Sequence, residues 1–215
     1  MIKVAAFDLD GTIADTIPMC IEAFEQAVSP YAGHTLSQEE IVQTFGLNET
    51  GMIKAVVSGG WEEALRDFYR IYARLLAQCG GPFEGIAALI DQLKQRGIAV
   101  ALITGKGAES CRMTLEHFGL KDVFAEVMTG SEYRNVKADS MLALMNKYHV
   151  SADEFVYIGD AVSDVKASRE AGVRCLSAAW SGSVDLAGLS EVNAGNVYET
   201  ISDLARAFEG AALEL

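Results

Sequence analysis

Apolar residues fall along this chain in two rhythms. Beyond the first third, short unbroken apolar runs alternate with longer stretches in which apolar positions recur every three or four residues. The runs predict strands over Lys3–Asp8, Ala99–Thr104, Glu126–Thr129, Phe155–Gly159 and Arg174–Ser177. In the longer stretches, Ile86, Leu89, Ile90 and Leu93 share one face of a helix that must end before Gly97. Residues Ser110–Phe118, Ser140–Tyr148 and Ser163–Ala171 repeat that pattern, the last stopped by Gly172. Such alternation predicts βαβ units and a parallel sheet covered by helices.

The strand rhythm vanishes between the first strand and residue 83. Helical patterns take its place at Met19–Val28, Gln38–Thr44, Met52–Val57 and Trp61–Ala77, broken at Gly46, Gly51 and Gly59-Gly60. A stretch this long is not a loop. The expected fold class is therefore α/β: a Rossmann-like parallel-sheet core formed by residues 1–14 and 83–215, with an inserted α-helical cap at residues 15–82. Aromatic residues Trp61, Phe68, Tyr69 and Tyr72 at helical spacing read as cap core, and Glu62, Glu63, Arg66 and Asp67 as its solvated face. Residues Glu209–Leu215 are expected to fray.

Composition narrows the partners. A net charge of -13 and a pI near 4.6 disfavour attraction to nucleic acid or anionic membranes, whose phosphates would be repelled. No apolar run approaches the ~20 residues that span a bilayer, and the N-terminus lacks a cationic stretch and long apolar core. A cytoplasmic protein is expected. Cys20, Cys79, Cys111 and Cys175 form no C-x-x-C pair and read as reduced thiols, and His34, His117 and His149 suggest neither a metal cluster nor a triad. In so acidic a chain, a phosphate site needs a bound cation and local lysine or arginine.

Polar groups suited to that task stand beyond the strand runs. Asp8 and Asp10 flank the first strand's end, with Gly11 permitting a sharp turn and Thr12 next to it. Thr104, Gly105 and Lys106 follow the second strand; Lys137 lies downstream of the third; Asp160 and then Asp164 follow the fourth. Ligands of open parallel sheets bind outside the carboxyl ends of the strands, so all four groups can converge. Each has an ordinary explanation alone, as a turn residue, a solvated lysine or a helix-capping carboxylate. Their joint order is what argues for chemistry.

That ordered set, D-x-D-G-T, then Thr, Lys and G-D-x-x-x-D, resembles the haloacid dehalogenase superfamily over nearly the whole chain, with Lys137-Ala138 where most members carry Lys-Pro. The resemblance implies a phosphatase with a Mg²⁺ cofactor acting on a small phosphorylated metabolite. Asp8 would be the nucleophile that forms an aspartyl-phosphate, and Asp10 the acid and base. Asp8, the Asp10 carbonyl and Asp160 would hold Mg²⁺, with Thr12 and Asp164 supporting that shell. Thr104, Lys137, Gly105 and Lys106 would bind and neutralise the phosphoryl group.

Asp10 separates this chain from the dehalogenases, phosphonatases and ATPases of the superfamily, which lack a second Asp there. The β-phosphoglucomutase-like mutases share Asp10, but usually carry His where this chain has Cys20. The hinge Asp15-Thr16-x-Pro18 and the Thr104-Gly105-Lys106 triplet look more like phosphoglycolate phosphatases. The alternatives are such a mutase or, in another class, a non-catalytic regulator that binds a phosphometabolite. Phe45, Asn48 and Lys54, with Gly46 and Leu47, are the candidate cap contacts to substrate; Asp15-Thr16 and Pro82–Gly85 are the expected hinges.

Overall fold

The computed structural model describes residues 1–210. Residues 211–215, most of the segment expected to fray, lie outside them. A six-stranded parallel sheet forms the centre, in the order β3-β2-β1-β4-β5-β6. Its strands are β1 (Val4–Phe7), β2 (Ala99–Ile103), β3 (Glu126–Met128), β4 (Phe155–Gly159), β5 (Arg174–Ala178) and β6 (Val197–Tyr198). The helices, in chain order, are α1 (Ile17–Ala32), α2 (Gln38–Val42), α3 (Glu49–Val56), α4 (Trp61–Leu76), α5 (Ile86–Gln95), α6 (Ala108–His117), α7 (Lys137–Tyr148), α8 (Val162–Glu170), α9 (Leu186–Val192) and α10 (Ile201–Glu209). The expected α/β class holds.

Strand β1 is apolar on both faces because both are covered. In register it pairs Val4 with Ala99 and Phe155, and Phe7 with Leu102 and Ile158. Ala5 and Phe7 join Leu102, Ile158, the Leu89 and Leu93 stripe of α5, and Leu204 and Phe208 of α10. Val4 and Ala6 turn to the other face, against Tyr157, Met141 and Leu144 of α7, and Val165 of α8. Continuous apolar strands are what a doubly covered parallel sheet requires. The ends of β1, β2 and β4 consequently stand side by side, and the loops after them open at one edge.

Helices α1 to α4 build a separate apolar cluster from Phe24, Val28, Ile41, Ile53, Phe68 and Tyr72. Phe68 lies 5.5 Å from the Tyr72 ring and 6.2 Å from Phe24. Trp61 and Tyr69 are only partly buried at its margin. Helix α1 runs four residues beyond the expected Val28 and ends at Gly33, whose φ of 80° closes it in the left-handed region. Helix α3 starts three residues before Met52 because the Asn48 side chain accepts the Gly51 amide.

Three elements go beyond the expected set. Strand β6 has two residues, too few to show a period. Helix α9 follows an Asp185 cap. Helix α10 carries a readable signal, a Thr200 cap bonded to the Asp203 amide ahead of Ile201, Leu204 and Phe208.

The buried sheet makes a direct stability prediction. Ile158, fully buried in β4, cut back to alanine should cost about 2–5 kcal/mol in urea unfolding. Leu142→Ala, at a side chain 49% exposed, should stay within roughly 0.5 kcal/mol.

Candidate active site

Asp8 follows β1 directly, and its Oδ1 accepts the Leu9 amide at 2.7 Å. Chain reversal follows at Gly11, where φ is +76° and an added Cβ would fall 2.2 Å from Asp160 Oδ2. Glycine is needed there twice over, for the left-handed turn and for the close approach of Asp160. Thr12 donates its hydroxyl to Asp160 Oδ1 at 3.0 Å, so the β1 loop and the β4 loop hold one another.

Lys137 is the hub. Its Nζ donates to Asp8 Oδ2 and to Asp164 Oδ1, each at 2.5 Å, and sits 5.7 Å from the Tyr157 ring centre. It does not stand at a strand end as the motif order suggested. It opens α7, nine residues past the end of β3, and reaches back to the end of β1. The Lys137 amide is held by Asn135 Oδ1 at 2.9 Å. Asp164 also accepts the Ala161 amide at 3.1 Å, so its ordinary role as a helix-capping carboxylate and its ion pair coexist.

Asp8, Asp160 and Asp164 are buried and bring oxygens within 4.8 Å of one another. One ammonium does not balance three carboxylates. Burial pushes the Asp8 carboxyl up to about 7; Lys137 opposes the rise and Asp164 adds to it. Burial likewise raises Asp160 well above the usual carboxylate range, with Asp164 and Asp8 contributing. Lys137 is drawn down by burial, yet Asp164 and Asp8 carry it well above its ordinary value. A buried, all-oxygen, electron-rich set of this kind fits a hard divalent cation such as Mg²⁺.

Asp10 has a different setting. Its Oδ1 accepts the Thr16 hydroxyl and lies 3.1 Å from Lys106 Nζ. Cys20 Sγ is 3.6 Å from the same oxygen and 3.1 Å from Lys106 Nζ. Burial pushes the Cys20 thiol up to about 12, opposed by Lys106, so it stays neutral. Lys106, expected to meet phosphate, is therefore paired with Asp10 beneath the Tyr72 ring, 4.8 Å away. Thr104 is buried and accepts the Lys106 amide at 3.2 Å, which shapes the Gly105 loop.

Between these groups and the helical insert lies a cavity of about 160 Å³. Asp8, Asp10, Thr104, Gly105, Lys106, Lys137 and Asp160 all line it, as does Phe45. Asn48 and Lys54 do not. Asn48 is committed to capping α3, and its backbone amide bonds Ser131 O at 2.9 Å. Lys54 turns outward to Glu132 at 2.5 Å and over the Trp61 ring at 4.2 Å. A lysine one turn along a short helix faces whichever partner tertiary packing supplies, which is why spacing misplaced it.

Sequence reasoning missed Glu49. It is 6% exposed and lines the cavity. Its Oε2 accepts the Gly107 amide at 2.8 Å and its Oε1 the Ser110 hydroxyl, both at the start of α6. Its position just after a helix cap is the only local signal, and that reads as an ordinary first-turn acid.

The family described as haloacid dehalogenase-like hydrolase matches residues 5–178. The chain belongs to this family. It is 29% identical to a phosphoglycolate phosphatase of Vibrio parahaemolyticus over 80% of this chain and 81% of that protein. It is 27% identical to PpaX of Caldanaerobacter subterraneus, provisionally assigned as a pyrophosphatase, over 84% and 83% of the two chains. A hydrolase structure from Pseudomonas syringae shares the fold with a TM-score of 0.80 at 23% identity, covering 96% of this chain and 98% of that one. Family and phosphatase relatives bear out the expectation of a phosphoric monoester hydrolase. Among the described residues no helix is long and apolar enough to cross a membrane.

The raised carboxyls give a signed pH dependence. Folded Asp8 keeps its proton where an unfolded aspartate, near its ordinary 3.8, has lost it. That stabilising contribution of the metal-free protein is full below the ordinary value and is lost as pH rises through about 7. Mg²⁺ should therefore raise the thermal midpoint more at about pH 8 than at about pH 5. An equal rise at both would count against this cluster as a cation site.

Proposed function

We propose that this hydrolase is a Mg²⁺-dependent phosphatase of a small phosphomonoester, working through an aspartyl-phosphate on Asp8. The observation that carries the reading is the placement of two carboxylates in unlike settings on one cavity. Asp8 sits in the Lys137, Asp160 and Asp164 cluster, and Asp10 stands apart with Thr16, Lys106 and Cys20. Separate environments suit separate roles.

An Asp8 carboxylate oxygen forms the new bond to phosphorus as the ester P–O bond breaks, and Asp10 donates a proton to the departing alcohol. Water then attacks the aspartyl-phosphate, with Asp10 taking its proton, and the Asp8 carboxylate leaves. Lys137 holds Asp8 in place, while the Thr104 hydroxyl and the Gly105 backbone face the transferring group. Bound at Asp8 and Asp160, with the Asp10 carbonyl and with Thr12 and Asp164 in support, Mg²⁺ would offset charge on the phosphoryl oxygens. The helical insert at 15–82, hinged at Asp15-Thr16 and Pro82–Gly85, would act as the cap that excludes water. Phosphatases among the relatives support this reading.

Asp8→Asn should abolish Mg²⁺-dependent release of phosphate from a generic monoester while the thermal midpoint stays close to that of the parent. Full turnover by that variant would remove Asp8 from the nucleophile role. Because neutral Cys20 occupies the position beside Asp10, β-glucose 1-phosphate with a bisphosphate primer should yield free phosphate and no glucose 6-phosphate. Accumulation of glucose 6-phosphate would instead establish a mutase.

A further inference from the structure

The cavity has two unlike sets of lining residues. The loops at the strand ends supply Asp8, Asp10, Asp160 and both lining lysines, whereas residues 17–68 supply a mostly apolar set, Ile17, Phe24, Phe45, Leu47, Met52 and Phe68. Within that second group the one charged side chain is Glu49. Both of its oxygens are held, by the Gly107 amide and the Ser110 hydroxyl, so its charge is fixed at the cavity wall. An added Cβ on Gly107 would lie 2.4 Å from Glu49 Oε2, so the seat is fitted closely to this carboxylate.

Among the described residues that line the cavity, both cations already have carboxylate partners. Lys106 is balanced by Asp10 and Lys137 by Asp8 and Asp164. The lysine and arginines of the insert look outward instead: Lys54 to Glu132, Arg66 to Glu63, Arg70 to Asp67 and Arg74 to the Gln26 amide oxygen. A substrate with a carboxylate or second phosphate on its leaving group would bring that charge among those apolar side chains and Glu49. It would lose hydration without gaining an unpaired cation.

We infer that the preferred substrate is a monophosphate ester of a small, largely apolar alcohol that carries no second anion, and that Glu49 is a specificity-determining residue that rejects anionic leaving groups. Size agrees, since the cavity of about 160 Å³ is comparable to the ~150 Å³ that admits a benzene-sized group. This inference rests on the phosphatase reading above and specifies its substrate class.

The test compares kcat/KM for n-propyl phosphate and for 2-phosphoglycolate, with Mg²⁺, in the parent and in Glu49→Gln, whose folding is checked by thermal melting. The parent should favour propyl phosphate by at least about tenfold, and Glu49→Gln should narrow that ratio by about tenfold, mainly through a lower KM for phosphoglycolate. Equal or better turnover of phosphoglycolate by the parent would overturn the inference and leave the phosphatase reading standing. A parental preference that Glu49→Gln does not narrow would remove Glu49 from the role. Turnover of neither ester would overturn the phosphatase reading and this inference with it. If Glu49→Gln fails to fold, the parental comparison alone decides the substrate class.

Discussion

One buried ammonium organises this molecule. Lys137 Nζ lies between Asp8 and Asp164 at 2.5 Å from each, and so ties the end of β1, the start of α7 and the first turn of α8 together. Burying charges is expensive, and such pairs are weak sources of net stability. What the arrangement supplies is position. Asp8, Asp160 and Asp164 repel one another, and Lys137, its amide held by Asn135 Oδ1, bridges two of them without fully neutralising the set. The residual negative charge is the feature that suits the cluster to a divalent cation.

The helical insert is attached to this centre by equally specific contacts. Asn48 reaches the loop after β3 through Ser131, Lys54 pairs with Glu132, and Glu49 occupies the start of α6. Tyr72 of α4 shares a buried hydrogen bond of 2.6 Å with Thr114 of α6. An added Cβ on Gly51 would come within 2.4 Å of the Glu132 carbonyl, so the approach of α3 to the core depends on glycine. These contacts bring apolar side chains of the insert to the cavity that Asp8 and Asp10 line. A partly enclosed, partly apolar chamber strengthens electrostatic effects on its polar groups.

Much of this was legible along the chain. Apolar runs and helical stripes located five of the six strands, because a doubly covered parallel sheet leaves few alternatives for such runs. The two-residue β6 left no period to find, and α10 shows that an amphipathic stripe after a Thr200 cap was available to be read. At the site, Asp8, Asp10, Thr104, Gly105, Lys106, Lys137 and Asp160 converge on one cavity as their placement along the chain led one to expect. Phe45 joins them, while Asn48 and Lys54 do not.

By itself, then, the sequence determined the alternation that makes an α/β sheet and the kind of chemistry its loops carry, since both follow from local periodicity and residue type. Pairing among those groups was decided only in three dimensions. Lys106 meets Asp10 and Cys20, Lys137 meets Asp8 and Asp164, and Glu49 crosses from the insert to α6. Each of these contacts joins residues at least 27 positions apart. No local pattern encodes them, because a charged side chain takes the partner that packing brings within reach.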